Sequence, residues 1–212
     1  MKYDCDIVIC GIGGQGVLTA CSLIANVAAN NGVKVKFTEL MGLGQRGGSV
    51  VGHVRMGDKS VSPIIAPASA DIVCAFEITE ALRWSRFAGP DGTIISSDRY
   101  LAPNSGFLGI EHRLAEHPED LLGKLPFQTY KVNDCLFLPR EKRLATNIFF
   151  MGIMSTLLPF EPDAWLAAIN RLLPKSTEAS LEVFEIGEEA AKKIFAPAIG
   201  ATKPSAKEVD IC

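Results

Sequence analysis

Two glycine-rich stretches hold the residues whose types and spacing suit anion recognition. The first is Gly11-Ile12-Gly13-Gly14-Gln15-Gly16, and the second runs Gly42-Leu43-Gly44-Gln45-Arg46-Gly47-Gly48-Ser49. Glycine permits a tight turn and lets backbone N–H groups approach a phosphate closely. Gly11, Gly13 and Gly16 fall at the spacing of a dinucleotide-binding fingerprint, and Gly14 loosens the turn further. The plainer reading is a turn that only packs a helix against a strand. In the second stretch Gly42, Gly44, Gly47 and Gly48 surround one Gln45-Arg46 pair. A guanidinium on so glycine-rich a loop suits a phosphate or carboxylate, which it grips as a fork. The alternative is a solvated surface charge.

The flanking sequence supplies elements to position both stretches. An apolar run, Asp6 to Cys10, reads as a strand entering the first glycines. Behind them Val17, Cys21, Ile24 and Ala28 recur at the spacing of one buried helix face. Val33 to Thr38 reads as a second strand, so both loops leave the C-terminal end of a strand and share one edge of a sheet. Ser49 to Met56 alternates as a strand, and Gly57-Asp58-Lys59 reads as a hairpin turn into Ser60 to Ile65. Pro63 and Pro67 confine that return strand to a sheet edge. Asp71 to Phe76, Gly92 to Ser96 and Gln128 to Val132 read as further buried strands. Ile148 to Leu158 reads as a buried helix, followed by helices over 163–172 and 176–194. The expectation is an α/β, three-layer Rossmann-like domain over residues 1–195, with a mostly parallel sheet and an antiparallel hairpin at one edge. Residues 196–212 read as a flexible tail.

Further candidates sit where these elements end. Glu39 closes the second strand 28 residues past Gly11, where a nucleotide-binding domain places an acid on ribose hydroxyls. Glu77 stands between a strand and a helix start, so it either caps the helix or faces the site. Glu80 reads as an acid favoured by the helix dipole. Asn147 either caps the helix it begins or points into the site. His112 and His117 lack partners at ligand spacing and read as surface residues.

Bulk properties narrow the classes. The chain has 212 residues, 48% hydrophobic and 21% charged, with a formal net charge of −3. That balance fits one α/β domain and offers no basic field for nucleic acid. No apolar run reaches the roughly 18 residues of a membrane span, and a strand begins too early for a signal peptide. The six cysteines, Cys5, Cys10, Cys21, Cys74, Cys135 and Cys212, form no C-x-x-C pair and no cluster or metal spacing. A reduced, cytoplasmic setting is expected.

Gly11-Ile-Gly-Gly-Gln-Gly16 together with Gln45-Arg46-Gly47-Gly48-Ser49-Val50 resembles the γ-type domain of 2-oxoacid:ferredoxin oxidoreductases, the indolepyruvate type most closely. The resemblance extends over about residues 4 to 195, through Glu77-x-x-Glu-Ala-Leu-Arg83, Asn147 with Gly152, and Leu181 to Gly187. The chain departs from the family pattern at Met41, where a histidine is expected, which leaves the 2-oxoacid open. The resemblance implies a thiamine diphosphate enzyme that decarboxylates a 2-oxoacid oxidatively, sends electrons through iron–sulfur clusters to ferredoxin, and passes the acyl group to coenzyme A. It places thiamine and clusters on a larger partner subunit and makes this chain the non-cluster subunit. Coenzyme A is then the ligand expected at Gly11, Gly13, Gly14, Gln15, Gly16, Glu39, Gln45, Arg46, Gly47, Gly48, Ser49, Glu77 and Asn147, unless these residues border the thiamine site instead. A free-standing NAD-dependent dehydrogenase and a non-catalytic nucleotide-sensing or assembly module are the alternatives.

Overall fold

Six strands form one mixed sheet in the order β2-β3-β1-β4-β5-β6. The computed structural model describes residues 3–41, 48–58, 62–101 and 117–196. The strands are β1 (Cys5–Ile12), β2 (Val35–Met41), β3 (Ser49–Met56), β4 (Ala70–Ala75), β5 (Ala88–Ser97) and β6 (Gln128–Val132). β1, β4, β5 and β6 pair in parallel, whereas β3 runs antiparallel to both β1 and β2.

The sheet therefore carries an antiparallel hairpin at one edge, as expected, but β2 and β3 make it. Residues 62–64 form bends and residue 65 is irregular, in place of the return strand expected there; of that span, Ser60 and Val61 lie outside the described residues. The physical reason is that β3 has both sides already taken, with Ser49 to Met56 opposite Ile12 to Cys5 and Val50 to Met56 opposite Met41 to Val35. Two side-chain bonds from Arg55 Nη1, to the backbone carbonyls of Ser62 and Ile64, and one from the Ile65 amide to His53 Nδ1 strap residues 62–65 against β3.

Alternation within the strands sorts their side chains into two cores. Ile7, Ile9, Val54, Ile72 and Cys74 face one layer, built from α1 (Val17–Asn30), α5 (Thr146–Ser155), α6 (Pro162–Leu172) and α7 (Thr177–Phe195). Val8, Cys10, Val51, Val73 and Ala75 face the other, where α2 (Ile78–Trp84) and α3 (Pro118–Gly123) lie. A short helix, α4 (Asp134–Phe137), and a 3-10 turn (Arg140–Ala145) lead from β6 to α5.

Every residue of α5 is buried. It crosses α7 at backbone contact, because a Cβ on Gly152 would lie 2.1 Å from the Phe184 carbonyl oxygen, and one on Gly187 would lie 2.1 Å from that of Phe149. That crossing pins α5 to α7, and the start of α5 is where the site is met.

Candidate anion-binding edge

β1 delivers the first glycine stretch to the C-terminal edge of the parallel strands. The Gln15 amide donates to the Ile12 carbonyl at 3.0 Å and closes the turn. The Gln15 side chain completes it, its Oε1 accepting from the Ile12 amide at 2.7 Å and its Nε2 donating to the Phe76 carbonyl at 3.2 Å. Gln15 thus ties the loop to the end of β4, and a Cβ on Gly11 would meet its Oε1 at 2.8 Å. Gly14 and Gly16 have φ of 99° and 80°, conformations that demand glycine.

Gly16 is also the cap residue of α1. No side chain caps this helix end, and its first turn holds no acidic residue. The first-turn amides and the positive end of the helix dipole are left to a ligand or solvent. A Cβ placed at Gly14 would meet nothing within 4 Å, so the loop is open on that side.

The second glycine stretch is the β2–β3 connection. Gly42, Leu43, Gly44, Gln45, Arg46 and Gly47 lie outside the described residues. Its last residue, Gly48, accepts at its carbonyl from the Gly13 amide at 2.9 Å, which binds the two stretches together. Ser49 follows as the first residue of β3. The antiparallel register sets Ser49 opposite Ile12, so the expected shared edge is present.

Asn147 reaches the same place from α5. The cap position there is Ala145, so Asn147 does not take the capping role expected by default. Its Nδ2 donates to the Gly16 carbonyl through a long 3.5 Å bond, and a Cβ on Gly16 would come within 2.4 Å of that nitrogen.

Glu77 is fully buried and does cap α2, accepting from the Glu80 amide at 3.0 Å and from the Thr79 hydroxyl. Its other oxygen accepts from the Leu101 amide at 3.0 Å, fastening the chain after β5. Glu39 lies opposite Gly52 on the α1 side of the sheet. Burial pushes the Cys21 thiol up to about 12, and the nearby Glu39 adds to the effect. Glu39 therefore stands over the second turn of α1, back from the loops.

Two groupings at this edge have no counterpart in the motif reading. Glu80 is buried and accepts from Arg83 Nε at 3.0 Å, Trp84 Nε1 at 3.0 Å and the Ser49 hydroxyl. The i,i+3 and i,i+4 spacing of Arg83 and Trp84 was visible in the sequence; Ser49, 31 residues away, was not. At the ends of β5 and β6, Arg99 Nη2 donates to Asp134 Oδ2 at 2.6 Å, and the Thr146 hydroxyl donates to the same oxygen at 2.8 Å. Asp98 sits beside this pair, its carboxyl held above the usual range by burial and by the charge of Asp134. His117 is exposed at the start of α3, as a surface residue should be, and His112 lies outside the described residues. Among the described residues no three His, Cys, Asp or Glu side chains gather as a metal site, and no helix is long and apolar enough to cross a membrane.

A mixed sheet with a glycine loop entering α1 and a hairpin connection beside it defines an α/β domain with a candidate anion-binding edge. The family model described as pyruvate ferredoxin/flavodoxin oxidoreductase matches residues 6–190, and the chain belongs to that family. It is 31% identical over 202 residues to the indolepyruvate oxidoreductase subunit IorB of Pyrococcus horikoshii, covering 90% of this chain and 97% of that one. The protein of the same name from Methanothermobacter thermautotrophicus is 41% identical over 202 residues, covering 90% and 98%. Among solved structures, the γ subunit of a keto/oxoacid ferredoxin oxidoreductase from Geobacter sulfurreducens has the same fold, with a TM-score of 0.64 at 20% identity over 89% of this chain and 98% of that one. The 2-oxoglutarate:ferredoxin oxidoreductase of Magnetococcus marinus, solved with 2-oxoglutarate, coenzyme A and succinyl-CoA bound, gives 0.69 at 18% identity; this chain, 99% covered, matches 33% of that longer polypeptide.

Proposed function

We propose that this chain is the non-cluster subunit of a thiamine-diphosphate-dependent 2-oxoacid:ferredoxin oxidoreductase, with indolepyruvate or another aryl 2-oxoacid as substrate. With its partner it converts a 2-oxoacid and coenzyme A into the acyl-CoA and carbon dioxide, two electrons passing to ferredoxin. The observation that carries the reading is the joined pair of glycine stretches: the Gly13 amide bonded to the Gly48 carbonyl, beside an α1 terminus with no side-chain cap. The uncapped α1 terminus held beside that bond offers backbone donors for a phosphate of coenzyme A or for a group at the border of the partner's thiamine site. Thiamine and the clusters are assigned to the larger subunit. Cys5, Cys10, Cys21 and Cys74 are all buried, consistent with a packing role.

Exposed apolar side chains ring the same edge and support a partner there. Leu18 is on the first turn of α1, Tyr100 and Leu101 follow β5, Leu136 is on α4, and Leu144 before α5 is 98% exposed. A side chain so completely bare, in company, marks a surface made to be covered.

Arg46 is the proposed reader of the anion. In the reconstituted complex Arg46→Lys keeps the charge and loses the fork, so kcat/KM should fall about ten- to a hundredfold, at roughly 1.4 kcal/mol per decade. A loss confined to the Michaelis constant for coenzyme A makes the arginine a reader of that molecule; one confined to the 2-oxoacid makes it a reader of substrate. Unchanged constants in Arg46→Ala would remove Arg46 from the site.

A further inference from the structure

The Glu80 side chain is only 4% exposed, and a buried carboxylate is costly unless its bonds do something for the fold or the site. Its bonds are directed. Oε1 takes Arg83 Nε, and Oε2 takes both Trp84 Nε1 and the Ser49 hydroxyl. Arg83 and Trp84 lie on its own helix, α2, and fix how the carboxylate is turned. Ser49 is the bond that leaves the helix and reaches the sheet.

Trp84 Nε1 also donates to the Ser49 oxygen at 3.1 Å, so the hydroxyl both donates and accepts within this cluster. A serine hydroxyl has a single proton, and that of Ser49 is already committed to Glu80. Ser49 therefore has no proton to give a ligand. What it does have is a place in the chain directly after Gly48, whose carbonyl holds the Gly13 amide at 2.9 Å. A continuous path runs from α2 through Glu80 to Ser49, then through Gly48 to the turn that enters α1.

We propose that Glu80 is a positioning residue that fixes the β3 end of the hairpin against the first glycine loop, and that Ser49 serves this link and not a ligand. The proposal rests on the functional reading of this edge only for its consequence in turnover. The geometric part stands on the free chain.

Amide hydrogen exchange on the full-length chain tests it, read at Gly13 with Ile9 and Val54 as internal standards. Ser49→Ala and Glu80→Ala should each speed exchange at Gly13 by about tenfold, as expected for freeing a local opening, with the standards unmoved. Glu80→Gln keeps an acceptor for Ser49 and should recover most of the protection. The double variant Ser49→Ala/Glu80→Ala should exchange no faster than either single one. In the complex with the partner, the specificity constant for coenzyme A should fall in the same rank order. Gly13 exchange unchanged by Glu80→Ala, or Gly13 and the standards accelerated equally, would overturn the link. Accelerated exchange with an unaltered specificity constant for coenzyme A in the complex would overturn its role in the reaction. Because exchange is read without any substrate, failure of the positioning role and failure of the functional reading are told apart.

Discussion

Gly16 meets two independent constraints, and Gly16→Ala separates them. Its φ of 80° and ψ of 33° lie in the left-handed region, where a side chain costs about 1 to 2 kcal/mol. The added Cβ would also stand 2.4 Å from Asn147 Nδ2 and 2.9 Å from Asn147 Cγ, while Asn147 Cβ, at 3.5 Å, is an ordinary neighbour. Forcing Asn147 aside is an overpacking event of about 1 to 3 kcal/mol. The sum is about 2 to 5 kcal/mol, which for a domain of this size lowers the melting temperature by roughly 4 to 20 °C. Asn147→Ala removes the two offending atoms and leaves the backbone strain in place. In Gly16→Ala/Asn147→Ala the steric share should therefore vanish, giving a favourable coupling of about 1 to 3 kcal/mol in a double-mutant cycle. Urea denaturation of the four proteins measures it. Additive effects of the two substitutions, or a Gly16→Ala protein within about 0.5 kcal/mol of the parent, would refute the packing of α5 against the loop.

Gly152→Ala should destabilise by about 1 to 3 kcal/mol, because its Cβ meets backbone that cannot rotate away; a thermal melt matching the parent's would disprove the close crossing of α5 and α7. His53 is buried, accepts from the Ile65 amide, and has its pKa held below the ordinary value by burial and by Arg55. The unfolded chain then takes up that proton first, so this stability is full above pH of about 6.5 and is lost as pH falls toward the native value. His53→Gln keeps an acceptor for Ile65 and should flatten the change in urea midpoint between pH 7.5 and 5, whereas an unaltered slope would clear His53 of the effect.

The strands and helices were legible because burial on two faces writes itself as continuous apolar runs. β6 has the bounds read from sequence, Gln128 to Val132, and α6 and α7 differ from their expected limits by a residue. The partner of β3 was not legible. Alternation tells which side of a strand is covered but never names the neighbouring strand, and the turn at Gly57, with its φ of 110°, imitates a hairpin. The two glycine stretches were plain, since positive φ at Gly14 and Gly16 leaves few other choices of residue. The ties between them were hidden. Asn147 and Gly16 are 131 positions apart, and an asparagine at the start of a helix suggests a cap far more readily than a distant backbone carbonyl. Glu80 was read as a helix-dipole acid for the same reason.

The hairpin closed by Met41 opposite Val50 has a consequence for how this chain can diverge. In a β-α-β crossover, a change in loop length shifts the helix and drags its packing with it. Here the glycine-rich connection begins and ends on strands paired to one another, and β3 is also held in register by β1, so a change between residues 42 and 47 need not displace a packed helix. Sequence can vary within that segment while the layers beneath it stay as they are.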